Sequence, residues 1–212
     1  MHNPTNNLIS IQKEIQQINP NTKVIAVTKT FKMNVIKPLI DHGHNHYGEN
    51  KVQEAQEKWA DHKNENIKLH LIGKLQTNKV KFCLPLFDYI HSLDSIKLAD
   101  KIANEQIKKN FKPKIFIQIN VGDEDQKSGF VINDFQSSYS KLKNDFDLNI
   151  IGLMCIPPNN LPSEPFFKKI KEMSTTIDLK ELSMGMSNDY VSAVKNSSTY
   201  IRVGSKIFGE RT

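Results

Sequence analysis

The sequence predicts an α/β fold, a (β/α)8 TIM barrel with one helix placed before the first strand. Short apolar runs with strand character recur along the chain, and helix-compatible stretches separate them, so strands and helices alternate. About eight such runs are present, which is the strand count of this barrel. No internal repeat, linker or low-complexity segment divides the 212 residues. We therefore expect one domain spanning residues 1–212.

The predicted strands follow one another through the whole sequence. They lie at residues 23–28 (KVIAVT), near His46 and Tyr47, and at 68–72 (KLHLI), 87–91 (FDYIH), 114–121 (KIFIQINV), 149–153 (NIIGL), 179–182 (LKEL) and 199–203 (TYIRV). Residues 50–59 and 95–109 are two of the helical stretches between them.

The N-terminal segment has the apolar spacing of a helix at residues 8–18 (LISIQKEIQQI). Only residues 204–212 follow the last predicted strand. We therefore expect the N-terminal helix to cover the flank of the barrel that a helix after strand eight would otherwise cover.

Composition and charge narrow the possible partners. The net charge is +6 and the isoelectric point about 9.1, but the lysines are scattered among Glu, Asp and Asn, which indicates a solvated basic surface rather than a nucleic-acid site. No run approaches the roughly 18 apolar residues of a membrane span, and residues 1–10 lack the features of an export signal. We expect a cytoplasmic monomer without a membrane or nucleic-acid partner.

The cysteines and arginines are few. Cys83 and Cys155 stand apart in apolar surroundings, which favours buried thiols over a disulfide or a zinc site. Of the 29 basic residues only Arg202 and Arg211 are arginines. These two are therefore candidates for tasks that need a guanidinium group.

The segments after the seventh and eighth predicted strands have the composition of a phosphate site. The first is residues 183–187 (SMGMS), and the second begins with Gly204 and Ser205. In TIM barrels the loops after these two strands commonly hold phosphate, and glycines and hydroxyls supply close donors. The alternative is that Gly185 and Gly204 only cap strands and that Ser187 only caps a helix.

Lys29 follows the first predicted strand directly and should stand at the same rim. Strand eight neighbours strand one in a closed barrel, so strands seven and one are about 10 Å apart at about 4.8 Å per strand. A ligand with a phosphate at one end and an aldehyde at the other fits that gap. A partly desolvated lysine amine can form an imine with such an aldehyde, as lysine does with pyridoxal 5′-phosphate (PLP). The alternative is an ordinary surface lysine.

Arg202 lies on the eighth predicted strand just before the phosphate segment. A guanidinium group facing a pyridine nitrogen donates a hydrogen bond and cannot give up a proton, so the ring remains a weaker electron sink. The alternative is an ion pair in the barrel interior.

Eight segments together resemble the pyridoxal phosphate homeostasis protein family. They are residues 24–30 (VIAVTKT), 47–54 (YGENKVQE), 70–80 (HLIGKLQTNKV), 90–94 (IHSLD), 127–129 (KSG), 152–157 (GLMCIP), 182–187 (LSMGMS) and 201–209 (IRVGSKIFG).

The resemblance implies an alanine-racemase-like barrel without the second domain of that enzyme. It also implies PLP bound to Lys29, phosphate held around Ser187, Gly204 and Ser205, and Arg202 facing the pyridine nitrogen. Asn50 matches a residue near the cofactor ring. Met186 could pack on the flat ring, as could Met154 and Met184, although methionine is equally plausible as core filler.

Histidines supply a possible metal site that we set aside. His42, His44 and His46 alternate, and imidazole suits zinc or nickel, but they precede strand two and so lie toward the end of the barrel opposite the catalytic loops. His70 and His91 could line the cavity, although buried histidines with a hydrogen-bond partner are the commoner case.

Three functions can be compared on these residues. We expect a carrier or buffer of PLP in vitamin B6 homeostasis, with PLP-dependent apoenzymes as recipients and no efficient turnover. The alternative is an amino-acid racemase of the alanine racemase type, which needs a base on each face of the imine, and the chain stops at Thr212 before any second domain could supply one. An RNA-binding protein would need clustered cations and stacking aromatics, whereas Phe and Tyr here lie mostly in apolar runs.

Overall fold

The computed structural model describes residues 3–124 and 126–210. None of the helices in this part of the chain is long and apolar enough to cross a membrane. In chain order the elements are α1 (Pro4–Gln16), β1 (Lys23–Val27), α2 (Met33–Asp41), β2 (His46–Glu49), α3 (Val52–Trp59), β3 (Lys68–Leu71), a 3-10 turn (Thr77–Lys79), α4 (Val80–Cys83), β4 (Tyr89–Leu93), α5 (Ile96–Lys109), β5 (Lys114–Asn120), β6 (Phe130–Val131), α6 (Phe135–Asp145), β7 (Asn149–Cys155), α7 (Glu164–Thr176), β8 (Glu181–Ser183), α8 (Tyr190–Lys195), β9 (Tyr200–Val203) and α9 (Ser205–Phe208).

Eight parallel strands close into a barrel in the order β1, β2, β3, β4, β5, β7, β8, β9, and β9 returns to β1 with Ile25 opposite Arg202. The short strand β6 lies outside this ring and pairs with Ile119 and Asn120 of β5, beyond the last contact of β4 with β5. The predicted (β/α)8 barrel, preceded by a helix, is therefore confirmed.

Two clusters of buried apolar side chains stabilise the barrel, a large one that contains most of the buried residues of the helices and strands, and a small one in the barrel interior. Parallel strands covered by helices are apolar on both faces, and every residue of β4 and β9 is buried. In the barrel interior a separate apolar cluster is formed by five side chains, Ile25, Tyr89, Phe116, Met154 and Tyr200, and His70 and His91 stack on Tyr89 and Phe116 of this cluster. A filled interior leaves the loops at the strand ends as the place for a ligand.

Two predicted strands are displaced in the structure. The fourth begins at Tyr89 rather than residue 87, because the Asp88 carboxylate accepts a hydrogen bond from the Leu69 backbone N–H at 2.9 Å and the chain turns there. The seventh begins at Glu181 rather than residue 179, because the Leu179 N–H still bonds to the Ser174 carbonyl at the end of α7. Both predicted segments contain strand residues, but their starts are two residues early.

Helix α1 begins earlier than the apolar spacing predicts. Asn3 is its N-cap and accepts a hydrogen bond from the Asn6 N–H at 3.1 Å, and Pro4 occupies the first turn. The helix packs against α2 and α9. Its Asn7 amide donates to the Ile207 carbonyl at 3.0 Å, so the N-terminal helix covers the side of the barrel next to the short final helix.

The two cysteines are buried and unbonded to each other, as expected. Burial raises the pKa of both thiols, so they remain protonated.

Candidate functional site

A cavity of about 700 Å³ opens at the C-terminal ends of the barrel strands, where TIM barrels carry their functional sites. All seven residues predicted to hold a cofactor line it. They are Lys29, Asn50, Met186, Ser187, Arg202, Gly204 and Ser205. The structure therefore brings together side chains from the ends of four strands. Arg211, the other candidate arginine, lies outside the described residues.

The peptide before Lys29 is held by a buried carboxylate. Lys29 lies two residues beyond β1 and is half-buried. The preceding Thr28 donates its hydroxyl proton to Glu49 Oε1 at 2.6 Å, and its carbonyl accepts a bond from Lys58 Nζ at 2.7 Å. Glu49 is fully buried and also accepts from Lys58 Nζ at 2.9 Å and from the Trp59 indole N–H at 3.0 Å. This network fixes one side of Lys29.

The peptide after Lys29 is held by a second carboxylate. The Thr30 N–H donates to Glu54 Oε1 at 2.5 Å, and Lys58 Nζ contacts the same oxygen at 3.0 Å. Burial alone would raise the pKa of Glu54, but the bonds from Thr30 and Lys58 lower it below its ordinary value. The network matters because Thr30 has a φ of +70°, which a β-branched residue rarely adopts. We call Glu49, Glu54 and Lys58 the Lys29 clamp.

Arg202 is fixed at the floor of the cavity by neutral acceptors. It is 4% exposed, and its Nη1 donates to the Ser183 carbonyl at 2.7 Å and to the Ser183 hydroxyl at 2.6 Å. Its Nη2 donates to the Cys155 carbonyl at 2.9 Å. Burial lowers the pKa of Arg202, but arginine remains protonated in proteins. Within residues 3–124 and 126–210 no carboxylate pairs with it, so the interior ion pair considered above is not what the structure contains.

The loop after β8 needs a glycine and is locked to β9. Gly185 has a φ of +92°, and a Cβ there would lie 2.5 Å from the Ala193 side chain of α8. Its carbonyl accepts a bond from the Arg202 backbone N–H at 2.9 Å. The Asp189 carboxylate accepts from the Met186 N–H at 2.6 Å and turns the chain into α8. These bonds place the backbone of the loop at the edge of the cavity.

Ser187 and the start of α9 face each other across the cavity edge. Asp189, not Ser187, is the N-cap of α8, so the reading of Ser187 as a helix cap is wrong. The Lys206 N–H instead approaches Ser187 Oγ at 3.5 Å. Gly204 is the N-cap residue of α9, and Ser205, its first residue, is exposed. Hydroxyls and first-turn N–H groups thus lie side by side.

Asn50 is brought to the cavity by close packing of two loops. It directly follows β2 and is half-buried. A Cβ on Gly73, in the loop after β3, would collide with the Asn50 carbonyl oxygen. Only glycine therefore allows the two loops to approach this closely.

Sequence reasoning missed one wall of the cavity. The proline-rich segment after β7 leads into α7, which begins at Glu164. The segment lines the cavity through six residues: Ile156, Pro157, Pro158, Asn159, Leu161 and Ser163. Its position after a barrel strand was the signal that could have assigned it to the site.

The histidines lie below the cavity rather than in it. His70 and His91 are fully buried, and His46 begins β2 at the opposite end of the barrel. Burial lowers the pKa of His70 and His91 well below the ordinary value, so both are neutral. In the described part of the chain no three His, Cys, Asp or Glu side chains are grouped so that they could hold a metal ion.

Comparisons with known proteins agree on one family. The profile of the alanine racemase N-terminal domain matches residues 5–212. The pyridoxal phosphate homeostasis protein of Aquifex aeolicus is 35% identical over 198 residues, which cover 89% of this chain and 87% of that protein. The protein of the same name from Haemophilus influenzae is 35% identical over 229 residues, covering 99% and 96%.

Solved structures of similar proteins superpose on the whole barrel. PipY of Synechococcus elongatus, solved without PLP, superposes with a TM-score of 0.90 at 32% identity and covers 97% of this chain and 99% of its own. The same protein solved with PLP bound gives 0.87, covering 97% and 100%. An alanine racemase from Clostridium difficile gives 0.77 at 13% identity and shares the fold, and this chain covers 57% of it.

Proposed function

The chain belongs to the pyridoxal phosphate homeostasis protein family, and we propose that it binds PLP as a Schiff base on Lys29 and serves as a carrier in vitamin B6 homeostasis. One observation carries the proposal. The cavity has a clamped lysine at one edge, a row of hydroxyl and backbone donors at another, and a buried guanidinium group between the strands that carry them.

The donor set fits the chemistry of PLP. The cavity volume lies within the range of about 300–1,000 Å³ that small-ligand sites occupy. Ser187, Gly204 and Ser205 would hold the phosphate through hydroxyl and backbone N–H groups at the start of α9. When bound, PLP supplies an aldehyde carbon that condenses with amines and a ring that delocalises electrons.

Lys29 would provide the amine. Its nitrogen would add to the aldehyde carbon, and the aldehyde oxygen would leave as water when the imine forms. The Lys29 clamp would hold the backbone on both sides of this residue, so that the amine meets the aldehyde at a fixed position.

Arg202 would set the electronic character of the ring. A guanidinium group donates a hydrogen bond to the pyridine nitrogen and does not protonate it. The ring would then withdraw electrons weakly, which suits storage of the cofactor better than rapid chemistry on it. Asn50 and Met186 would contact the ring from the remaining sides.

The cofactor could be released through the open side of the same cavity. Lys29 is half-buried, Ser205 is exposed, and Leu161 on the opposite wall is 51% exposed. The phosphate end of the ligand would therefore lie near the surface, where a PLP-dependent apoenzyme could receive it.

A transfer experiment tests the carrier role. The PLP-loaded protein is mixed with an apoenzyme in the presence of a phosphatase that destroys free PLP, and the activity of the recipient is followed. Direct transfer predicts that the loaded protein still activates the recipient enzyme in the presence of the phosphatase. An equal amount of free PLP should not activate it under the same conditions. A variant with Lys29→Ala is the control. If the phosphatase abolishes activation by the loaded protein as completely as it abolishes activation by free PLP, the protein only buffers PLP.

A further inference from the structure

A row of three histidines runs through the barrel interior and ends on Arg202. His46 Nδ1 lies 2.8 Å from His70 Nε2, His70 Nδ1 lies 2.9 Å from His91 Nε2, and His91 Nδ1 lies 2.8 Å from Ser183 Oγ. Ser183 Oγ in turn accepts from Arg202 Nη1 at 2.6 Å. The row thus connects the N-terminal mouth of the barrel to the floor of the cavity.

Proton counting allows only two arrangements of this row. Each neutral imidazole has one N–H, so one ring nitrogen donates and the other accepts. If His91 accepts at Nδ1, then its Nε2–H donates to His70, and His70 Nε2–H donates to His46. If the direction is reversed at any ring, every ring must reverse. The three side chains therefore form one unit with a single direction.

Arg202 selects the direction. Its guanidinium group can only donate, so Ser183 Oγ must accept from it. In one direction the Ser183 hydroxyl proton is donated to His91, and the protons of His91 and His70 are each donated to the next ring, so only the His46 Nε2–H, at the open end of the row, has its acceptor outside the row. In the reverse direction His91 and Arg202 both donate to Ser183, and no other acceptor for the Ser183 hydroxyl proton is present among the described residues. A buried unpaired donor is costly, so the first direction is favoured.

We propose that His46, His70 and His91, acting through Ser183, are positioning residues that hold Arg202 in its orientation toward the cofactor site. The hydroxyl proton of Ser183 points along the row, so its oxygen lone pairs face Arg202. This proposal rests on the proposed function only for the identity of the ligand that Arg202 meets.

The surroundings keep the row neutral and its rings fixed. His70 stacks on Tyr89 with ring centres 4.2 Å apart, and His91 stacks on Phe116 at 4.3 Å. At the open end, burial lowers the pKa of His46 to about 3, with smaller contributions from repulsion by the nearby His44 and by Lys23, Lys68 and Lys114. An uncharged row at neutral pH meets the condition that the proton count requires.

The direction of the row can be measured without any ligand. Nitrogen-15 NMR of the protein free of PLP should show His46, His70 and His91 each protonated at Nε2 and unprotonated at Nδ1. A proton on Nδ1 of His70 or His91 would overturn the assignment. This measurement determines the direction of the hydrogen bonds in the row even if the protein proves not to bind PLP.

The effect on Arg202 is measured by comparing two ligands. The dissociation constants of PLP and of an analogue with carbon in place of the ring nitrogen are determined for His91→Phe and for Ser183→Ala. Each substitution should weaken PLP about five- to tenfold, as expected for one lost hydrogen bond, and leave the analogue nearly unchanged. Ser183→Ala removes few atoms and serves if His91→Phe folds poorly.

Phe116→Leu is the matched control, because it disturbs the packing on His91 and leaves the row intact. It should weaken both ligands equally or neither. Equal weakening of PLP and the analogue by Ser183→Ala, or no weakening at all, would contradict the positioning role.

Discussion

Among single residues, Glu54 controls the turn that carries Lys29. Replacing Glu54 with Ala removes the acceptor of the Thr30 N–H, and Thr30 should leave its unfavourable φ of +70°. We expect PLP affinity to fall about tenfold, within the range of a lost hydrogen bond to a charged group, and this can be measured by absorbance titration.

Two further substitutions separate this effect from general damage. Glu54→Gln keeps an acceptor for Thr30 and should retain most of the affinity. Glu57→Ala changes an exposed glutamate of the same helix and should have no effect. If Glu54→Ala binds PLP as tightly as the unaltered chain, the clamp does not position Lys29.

The assignment of the phosphate to Ser187 and Ser205 predicts a ligand-dependent loss. Replacing both with Ala should weaken PLP far more than pyridoxal, which lacks the phosphate. Each charge-assisted hydrogen bond is worth about 1.5–3 kcal/mol, or roughly ten- to hundredfold in affinity. Calorimetric titration of both ligands measures the difference, and equal weakening would place the phosphate elsewhere.

The sequence predicted the residues that line the cavity better than those that support them. Lys29, Arg202 and the serine–glycine segments stand next to strand ends, so their position in the chain predicts their position in the barrel. Glu54 and Lys58 belong to a helix that meets the first strand only in the folded chain. Such an i,i+4 pair is typical of the exposed face of a helix, and only the structure shows its contact with the Lys29 turn.

Among the elements, the loop between β8 and α8 depends on Gly185. An alanine there would adopt a left-handed backbone and place its Cβ 2.5 Å from Ala193. The backbone cost of about 1–2 kcal/mol and an overpacking cost of about 1–3 kcal/mol add, so the free energy of unfolding should fall by about 2–5 kcal/mol. Urea denaturation measures the change.

Gly43 provides the matched comparison. It has a φ of +90°, but a Cβ added to it would meet no atom within 4 Å. Gly43→Ala should therefore show the backbone cost alone, about 1–2 kcal/mol. Equal losses for the two substitutions would show that the packing of Gly185 against α8 contributes nothing.

Strands and helices could be predicted from the sequence where apolar residues recur at a regular spacing. In the run KIFIQINV every second residue is apolar, which is a strand pattern, and the structure contains a strand there from Lys114 to Asn120. The two-residue strand β6 has no such run, because it is defined by pairing with the far end of β5. The start of α1 was missed because Asn3, Pro4 and Asn7 lack apolar side chains at helical spacing, and a helix start made by capping carries no such pattern.

For the molecule as a whole, we expect no racemisation of alanine or other common amino acids at enzyme-like rates. The described residues that line the cavity include no tyrosine, histidine or cysteine; their two carboxylates are Glu210 and Asp189, and Asp189 is held by the Met186 N–H in the loop before α8. One missing acid or base typically costs about 10²- to 10⁴-fold in rate. Chiral chromatography after long incubation is the measurement, and inversion at about 1 s⁻¹ or faster would require a second base on this barrel.

Covalent attachment of the cofactor to one lysine can be measured by trapping the imine. The PLP-loaded protein is reduced with borohydride, digested, and searched by mass spectrometry for the pyridoxyl adduct. The cavity geometry predicts the adduct on Lys29, with Lys29→Ala losing it and the exposed Lys32→Ala retaining it. An adduct found mainly on another lysine of the freshly loaded protein would contradict the assignment of Lys29 as the PLP-binding residue.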